Sequence, residues 1–188
     1  DLFNRLTNSD RTNRGGGECK TLRGFSCLNG GTNENNHIPA SNVLDGTNFS
    51  NLKTNEQLVI TMFKAHHRNW ISTGSSAASI EFRNSQRNLL ITEGFASALE
   101  FELKTYNNQG LSLLYTFGWY DLLLKALRKN LITDDEAINL FEKLLSFIAK
   151  DDNGRNFDIL LETYNNTFGT QTGFREFYKK FIKNIRTV

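Results

Sequence analysis

The sequence predicts an α+β domain, in which a small antiparallel sheet packs with amphipathic helices and follows an irregular N-terminal arm. Residues 98–117 contain alternating apolar and polar side chains and a turn, "NNQG", as expected for a β-hairpin. From Trp119 onward the apolar residues recur at helical spacing. Residues 1–53 are rich in Gly, Asn, Thr and Arg and lack a sustained apolar period. We therefore expect an irregular region over 1–53 and a single α+β domain over 54–188.

A helix over residues 55–70 is predicted ahead of the hairpin. Thr54 and Gln57 have the spacing of a capping box. Apolar and aromatic residues then recur at helical spacing: Val59, Phe63, His66 and Trp70. The run "LVITMF" also has strand propensity, so a strand is the alternative at this point.

The hairpin is predicted from one stretch in particular, "ALEFELKTY". Leu99, Phe101 and Leu103 would lie on one face, and Glu100, Glu102 and Lys104 on the other. Shorter alternating or apolar runs before it, "SIEFR" and "NLLIT", would supply further strands.

Helices are predicted for the C-terminal part of the chain. Thr133 to Glu136, "TDDE", forms a capping box that opens one of them. The apolar stripe predicted for this helix is Ala137, Phe141, Leu144, Leu145 and Ile148. The last helix carries an apolar stripe: Phe174, Phe177, Tyr178, Phe181, Ile182 and Ile185. Its polar side is basic, and it follows an acid-rich stretch over 134–162. The basic residues would form the solvated edge of a core-facing helix or, as the candidate interaction site, contact a partner: Arg175, Lys179, Lys180, Lys183 and Arg186.

Composition excludes some classes of protein. The chain has 188 residues, enough for a self-sufficient core, and a net charge of +2, too small to demand a polyanionic partner. No apolar run reaches the roughly 18 residues of a membrane span. We expect a protein partner first, an anionic surface or nucleic acid as alternatives, and no transmembrane segment.

Cys19 and Cys27 are the only cysteines, and a Gly-flanked loop between them could close as a disulfide. The chain begins at Asp1 and its single methionine is Met62, as after removal of a leader, although a shortened chain would look the same. These features favour an extracellular or surface location. Two free thiols would instead indicate the cytoplasm.

Candidate catalytic residues are few: His66, His67, Glu93, Glu100, Glu102 and Asp121. Adjacent histidines point about 100° apart on a helix, so the pair cannot bind one metal as i, i+4 histidines do. We expect His66 to be a semi-buried structural histidine, His67 to be exposed, and Asp121 to open a helix. Glu100 and Glu102 would form a solvated strand face or, alternatively, a carboxylate pair. No catalytic signature, metal site or cofactor site is predicted.

The sequence therefore favours a non-enzymatic binding or protein-interaction domain. The first alternative is a hydrolase or nuclease of unfamiliar type that uses one of the histidines with a nearby carboxylate. The second is a nucleic-acid-binding or capsid-like structural protein, in which the Arg/Gly-containing arm contacts the nucleic acid.

Overall fold

A computed structural model describes residues 33–53 and 56–149. This part of the chain has the predicted α+β architecture, with one small antiparallel sheet, a 3-10 turn at Ser41–Val43 and five α-helices. The strands are β1 (Asn33–His37) and β2 (Val59–Phe63), and the helices are α1 (Lys64–Arg68), α2 (Ala77–Thr92), α3 (Phe95–Asn108), α4 (Thr116–Arg128) and α5 (Asp134–Ala149).

The sheet pairs a polar strand with an apolar one. β1 and β2 are antiparallel, with Asn33 opposite Phe63 and His37 opposite Val59. All residues of β2 except Phe63 are buried, so both of its faces are covered. A strand covered on both faces has no alternation to mark it in the sequence. The predicted helix over 55–70 is therefore wrong across β2, and its helical part is limited to α1; Thr54 lies outside the described residues.

The predicted hairpin over 98–117 is wrong, because this stretch contains most of α3 and the start of α4. The buried residues of α3 have helical spacing: Phe95, Ala98, Leu99, Glu102, Leu103 and Tyr106. Glu102 made the helical period difficult to recognise, because a glutamate was expected to face solvent and not the core. The "NNQG" turn ends a helix instead, with Gly110 at φ 70° and Leu111 N donating to Tyr106 O at 2.8 Å. The shorter runs before it form α2.

The helices expected after Trp119 are present as far as residue 149. The capping box of α5 is reciprocal: Glu136 N donates to Thr133 Oγ1 at 3.2 Å, and Thr133 N donates to Glu136 Oε2 at 2.8 Å. The buried stripe of α5 includes Ala137, Phe141, Leu144 and Leu145, as predicted. The predicted last helix and its basic residues lie outside the described residues.

Residues 33–53 fall in the region predicted to be an irregular arm, and they contribute to the core. Ile38, Val43 and Leu44 are buried there. Ile38 N also donates to Leu58 O at 2.9 Å, which extends the strand pairing by one bond. The division of the chain at residue 53 stays a prediction.

Helix α4 lies at the centre of the core. Every residue from Thr116 to Leu127 is buried, including the charged Asp121 and Lys125. The helix packs on β2 through Gly118, where an added Cβ would lie 2.9 Å from Ile60 Cγ2. The close approach of helix and strand therefore requires glycine at this position. No helix in the described part of the chain is long and apolar enough to cross a membrane.

We predict that Gly118→Ala destabilises the protein by roughly 1–3 kcal/mol, because the new methyl group overpacks the contact with Ile60. The gain in helix propensity, about 1 kcal/mol, offsets part of this cost. Chemical denaturation measures the change. In an Ile60→Ala background, which lacks Cγ2, the same substitution is expected to cost less. An unchanged or raised stability of the single variant would contradict the assigned contact.

Candidate binding groove

A groove of about 300 Å³ opens where β1, the 3-10 turn, α1, the loop before α2 and α2 itself meet. Its lining residues come from separate parts of the sequence: Asn36, His37, Ala40, Ser41, Asn42, His67, Ser72, Thr73, Gly74 and Arg83. A second hollow, of about 480 Å³, is built from the single stretch 127–136 between α4 and α5. Because tertiary folding assembles the first groove from five segments, we take it as the candidate site.

Arg83 fixes the wall that the loop before α2 provides. Its Nη1 donates to Ser72 O at 2.7 Å and to Gly74 O at 2.9 Å. The start of α2 is held separately, since Ser79 N donates to the N-cap Ser76 Oγ at 3.1 Å. A guanidinium has five N–H donors, so this clamp leaves those on Nη2 and Nε for a ligand.

His67 occupies the opposite side, where α1 meets β1. Its Nδ1 lies 2.9 Å from Glu34 Oε2, and its side chain is 21% exposed, so the expectation of a solvent-exposed histidine is wrong. Lys64 and Arg68 also contact Glu34, at 3.7 and 3.4 Å. The hydrogen bond from His67, followed by the charges of Arg68 and Lys64, lowers the pKa of the Glu34 carboxyl.

Asn36 connects the groove to a buried polar network. It lines the groove but is only 2% exposed. Its Nδ2 donates inward to Glu102 Oε1 at 3.3 Å and to Tyr106 Oη at 3.1 Å. A groove residue is thus bonded directly to a carboxyl group in the core.

Glu102 is fully buried, and uncharged N–H groups surround its carboxyl. Oε1 also accepts from Trp70 Nε1 at 2.9 Å, and Oε2 accepts from Gln86 Nε2 at 2.6 Å. Within the described residues no cation pairs with it. Burial disfavours the carboxylate more than the three donors favour it, and this raises the pKa of Glu102 to about 7.

Glu100 and Glu102 do not form the carboxylate pair that the predicted strand face allowed. Residues two apart on a helix point about 200° apart, and α3 therefore separates them. Glu100 pairs with Lys104 at 2.6 Å and with Lys143. Burial opposes its ionisation, but hydrogen bonds from the two lysines outweigh this effect and lower its pKa. Glu93 is an exposed residue at the C-cap of α2.

Asp121 does not open a helix as expected, because α4 already begins at Thr116. Asp121 Oδ2 lies 2.7 Å from Lys125 Nζ, one turn later, and both side chains are at most 2% exposed. The ammonium is close enough for a charge pair, although its direction is not that of a hydrogen bond. The two charges compensate each other inside the core.

His66 is half-buried, and its Nδ1 lies 2.7 Å from Tyr115 Oη. The same hydroxyl accepts from Phe63 N at 3.1 Å, and the rings of His66 and Tyr115 meet edge to face. Burial raises the pKa of Tyr115, although the Phe63 amide bond partly offsets it. His66 therefore packs α1 onto the residue before α4 and does not line the groove.

The other predicted sites lie beyond the described ranges, namely Cys19, Cys27 and the basic residues of the predicted last helix. In the described part, no cluster of His, Cys, Asp and Glu side chains could hold a metal ion. Comparison with known proteins found no matching family model, no matching curated protein and no matching solved structure.

Sequence reasoning missed most of the groove. It singled out His67 but gave no reason to select Asn36 or Arg83. A glycine-containing, hydroxyl-rich segment followed by an arginine was the available signal. It is too common to identify a site without the fold.

We predict that the free energy of unfolding falls as the pH rises from about 4.5 to 7. Between these pH values the native state keeps a proton on Glu102 that the unfolded state has released. The contribution of Glu102 to the free energy of unfolding is therefore largest below the pKa of the unfolded state, and it is lost as the pH rises through the pKa of the folded state. The shift corresponds to a loss on the order of 3 kcal/mol. Urea denaturation at several pH values measures this slope. Glu102→Gln is expected to flatten it, and Glu100→Gln, on the same helix, to keep it; an equal slope in wild type and Glu102→Gln would contradict the assignment.

Proposed function

We propose that this chain is a non-enzymatic protein-interaction domain that binds an anionic side chain of its partner in the groove. The observation that carries the proposal is the composition of the lining. Among the described residues it contains Arg83, His37 and His67 and no carboxylate. An acidic group would enter such a groove without facing a like charge.

The chemistry of the lining fits a carboxylate. An arginine guanidinium presents parallel N–H donors in a planar fork that matches the two oxygens of a carboxylate. The Ser72 and Thr73 hydroxyl groups, on the loop side of the groove, add neutral donors. The loop carbonyls clamped by Arg83 keep the guanidinium at the groove.

Binding is preferred to hydrolysis because the candidate catalytic groups do not converge. Glu102 and Asp121 are buried, Glu100 pairs with lysines, and His66 is bonded to Tyr115. A general base must come within hydrogen-bond reach of its substrate, together with a nucleophile or a second acid. His67 alone reaches the groove, and its Nδ1 is occupied by Glu34.

Two parts of the earlier expectation stay proposals. The extracellular or surface location depends on the state of Cys19 and Cys27. A contribution of Arg175, Lys179, Lys180, Lys183 and Arg186 would provide a second basic contact for the same acidic partner.

The test is a titration of the full chain with a capped hexaglutamate peptide, followed by NMR of the backbone amides. The largest shifts are expected at groove residues. Arg83→Gln is expected to weaken binding by roughly 10-fold or more, as for loss of a hydrogen bond to a charged group. A capped hexaglutamine peptide is expected not to bind.

Arg128→Gln is the matched control, because Arg128 lines the other hollow, between α4 and α5. Thermal melts of both variants check that loss of the loop clamp does not unfold the domain. Equal weakening by the two substitutions, or shifts spread over basic residues elsewhere, would contradict the proposal.

A further inference from the structure

Each of three walls of the groove is tied to the same buried carboxyl. From β1, Asn36 donates to Glu102 Oε1. From the loop, Trp70 donates to the same oxygen. Thr73 N in turn donates to Trp70 O at 2.9 Å, so the Trp70 contact also holds the groove residue Thr73. From α2, Gln86 donates to Oε2 one turn after the groove residue Arg83.

We propose that Glu102 is a proton-operated latch for this groove. The carboxylate fastens β1, the loop before α2 and α2 to α3. Uptake of one proton converts it to the neutral acid, which stays buried; the fold as a whole is then more stable, but the hydrogen bonds that hold the three groove walls are weaker. The groove is therefore best ordered for its ligand when Glu102 is ionised.

The hydrogen-bond pattern matches the ionised form. A carboxylate is an acceptor only, and all three side chains that contact it are N–H donors. Hydrogen bonds to a charged acceptor are roughly twice as strong as bonds between neutral groups. Protonation therefore weakens the bonds from Asn36 and Trp70 without breaking any covalent bond.

The neutral acid brings an O–H group that needs an acceptor, and Gln86 can supply it. Gln86 Oε1 is buried and has no hydrogen-bond partner among the residues that the structure describes, while its Nε2 faces Glu102 and also donates to Ala98 O at 3.3 Å. Rotation of the amide by half a turn would bring Oε1 to Glu102 and take Nε2 away from Ala98 O. Protonation would thereby replace the present hydrogen bonds between Gln86 of α2 and helix α3 with a different one.

Within the described ranges, few other charges influence the latch. The groups that face the carboxyl are Asn36 from β1, Trp70 from the loop, Gln86 from α2 and Tyr106 from its own helix. Of these only Tyr106 titrates, and burial raises its pKa well above the ordinary value, so it stays neutral. The charged groups at the groove, Glu34 with His67 and the Arg83 guanidinium, are not among the groups that shift the pKa of Glu102.

The first experiment needs no ligand. The indole N–H resonance of Trp70 is followed in wild-type protein between about pH 5 and pH 8.5, and a single titration with a midpoint near neutrality is expected, since the pKa of Glu102 is about 7. Trp119 is the internal reference, because its Nε1 has no hydrogen-bond partner in the described part. The backbone amide of Thr73 donates to Trp70 O, and its protection factor, which corrects for the base-catalysed intrinsic exchange rate, is expected to be lower on the acid side of the midpoint. A Trp70 resonance that does not titrate would overturn the latch.

Glu102→Gln is expected to abolish the Trp70 titration, and Glu100→Gln to leave it intact. A titration that persists in Glu102→Gln would assign it to another group and overturn the proposal. If that variant does not fold, Asn36→Ala replaces it. Loss of this donor is expected to move the Trp70 midpoint to higher pH, and an unmoved midpoint would equally count against the latch.

The second experiment rests on the proposed function and measures hexaglutamate affinity at about pH 6 and pH 8. Glu102→Gln keeps His37 and His67, so the comparison isolates the latch. From pH 8 to pH 6 the wild type is expected to lose about fivefold in affinity relative to the variant, as for weakening of one hydrogen bond.

The two proposals can fail separately. Identical pH profiles of affinity in wild type and Glu102→Gln would overturn control of the groove by Glu102. Absence of peptide binding at either pH, with a Trp70 titration that depends on Glu102, would reject the acidic ligand and leave the latch supported.

Discussion

The fold depends on a carboxyl group that folding removes from water. Transfer of an ionised carboxylate to an apolar interior is costly unless donors replace the lost hydration. Here Asn36, Trp70 and Gln86 supply these donors from three different segments, and the aromatic rings of Trp70 and Tyr106 pack 4.3 Å apart beside them. Within the described residues no cation pairs with this carboxylate, so its negative charge is only partly compensated by the hydrogen bonds. Protonation therefore competes with these hydrogen bonds for the carboxylate oxygens.

A second constraint acts on the same face of the sheet, since Ile60 is paired with Asn36 across the two strands. Helix α4 is buried over nearly its whole length, and it reaches β2 only because Gly118 has no side chain to separate it from Ile60. Its two charges, Asp121 and Lys125, compensate each other one turn apart. With α4 holding β2 in place, β1 is fixed by its register, and the groove residues of β1 come to lie opposite the loop before α2.

The elements predicted correctly from the sequence are those specified by residues close together in the chain. The cap at Thr133 and Glu136 and the stripe of α5 were predicted because both depend on neighbours within a few residues. The sheet was placed wrongly because Glu102 broke the apolar stripe of α3, whereas β2, covered on both faces, showed no alternation. Both errors have one cause: the side on which a residue is buried depends on packing partners distant in the sequence.

The sequence by itself determined the α+β class, the positions of α4 and α5 to within a few residues, and the absence of a recognisable catalytic motif. Only the tertiary structure decided that His67 and Arg83 share a groove, that Glu100 and Glu102 lie apart, and that Asn36 bridges the groove and the core. Helix period and capping are properties of adjacent residues, and a sequence displays them directly. A groove built from five segments, and a pKa set by burial, exist only after the chain has folded.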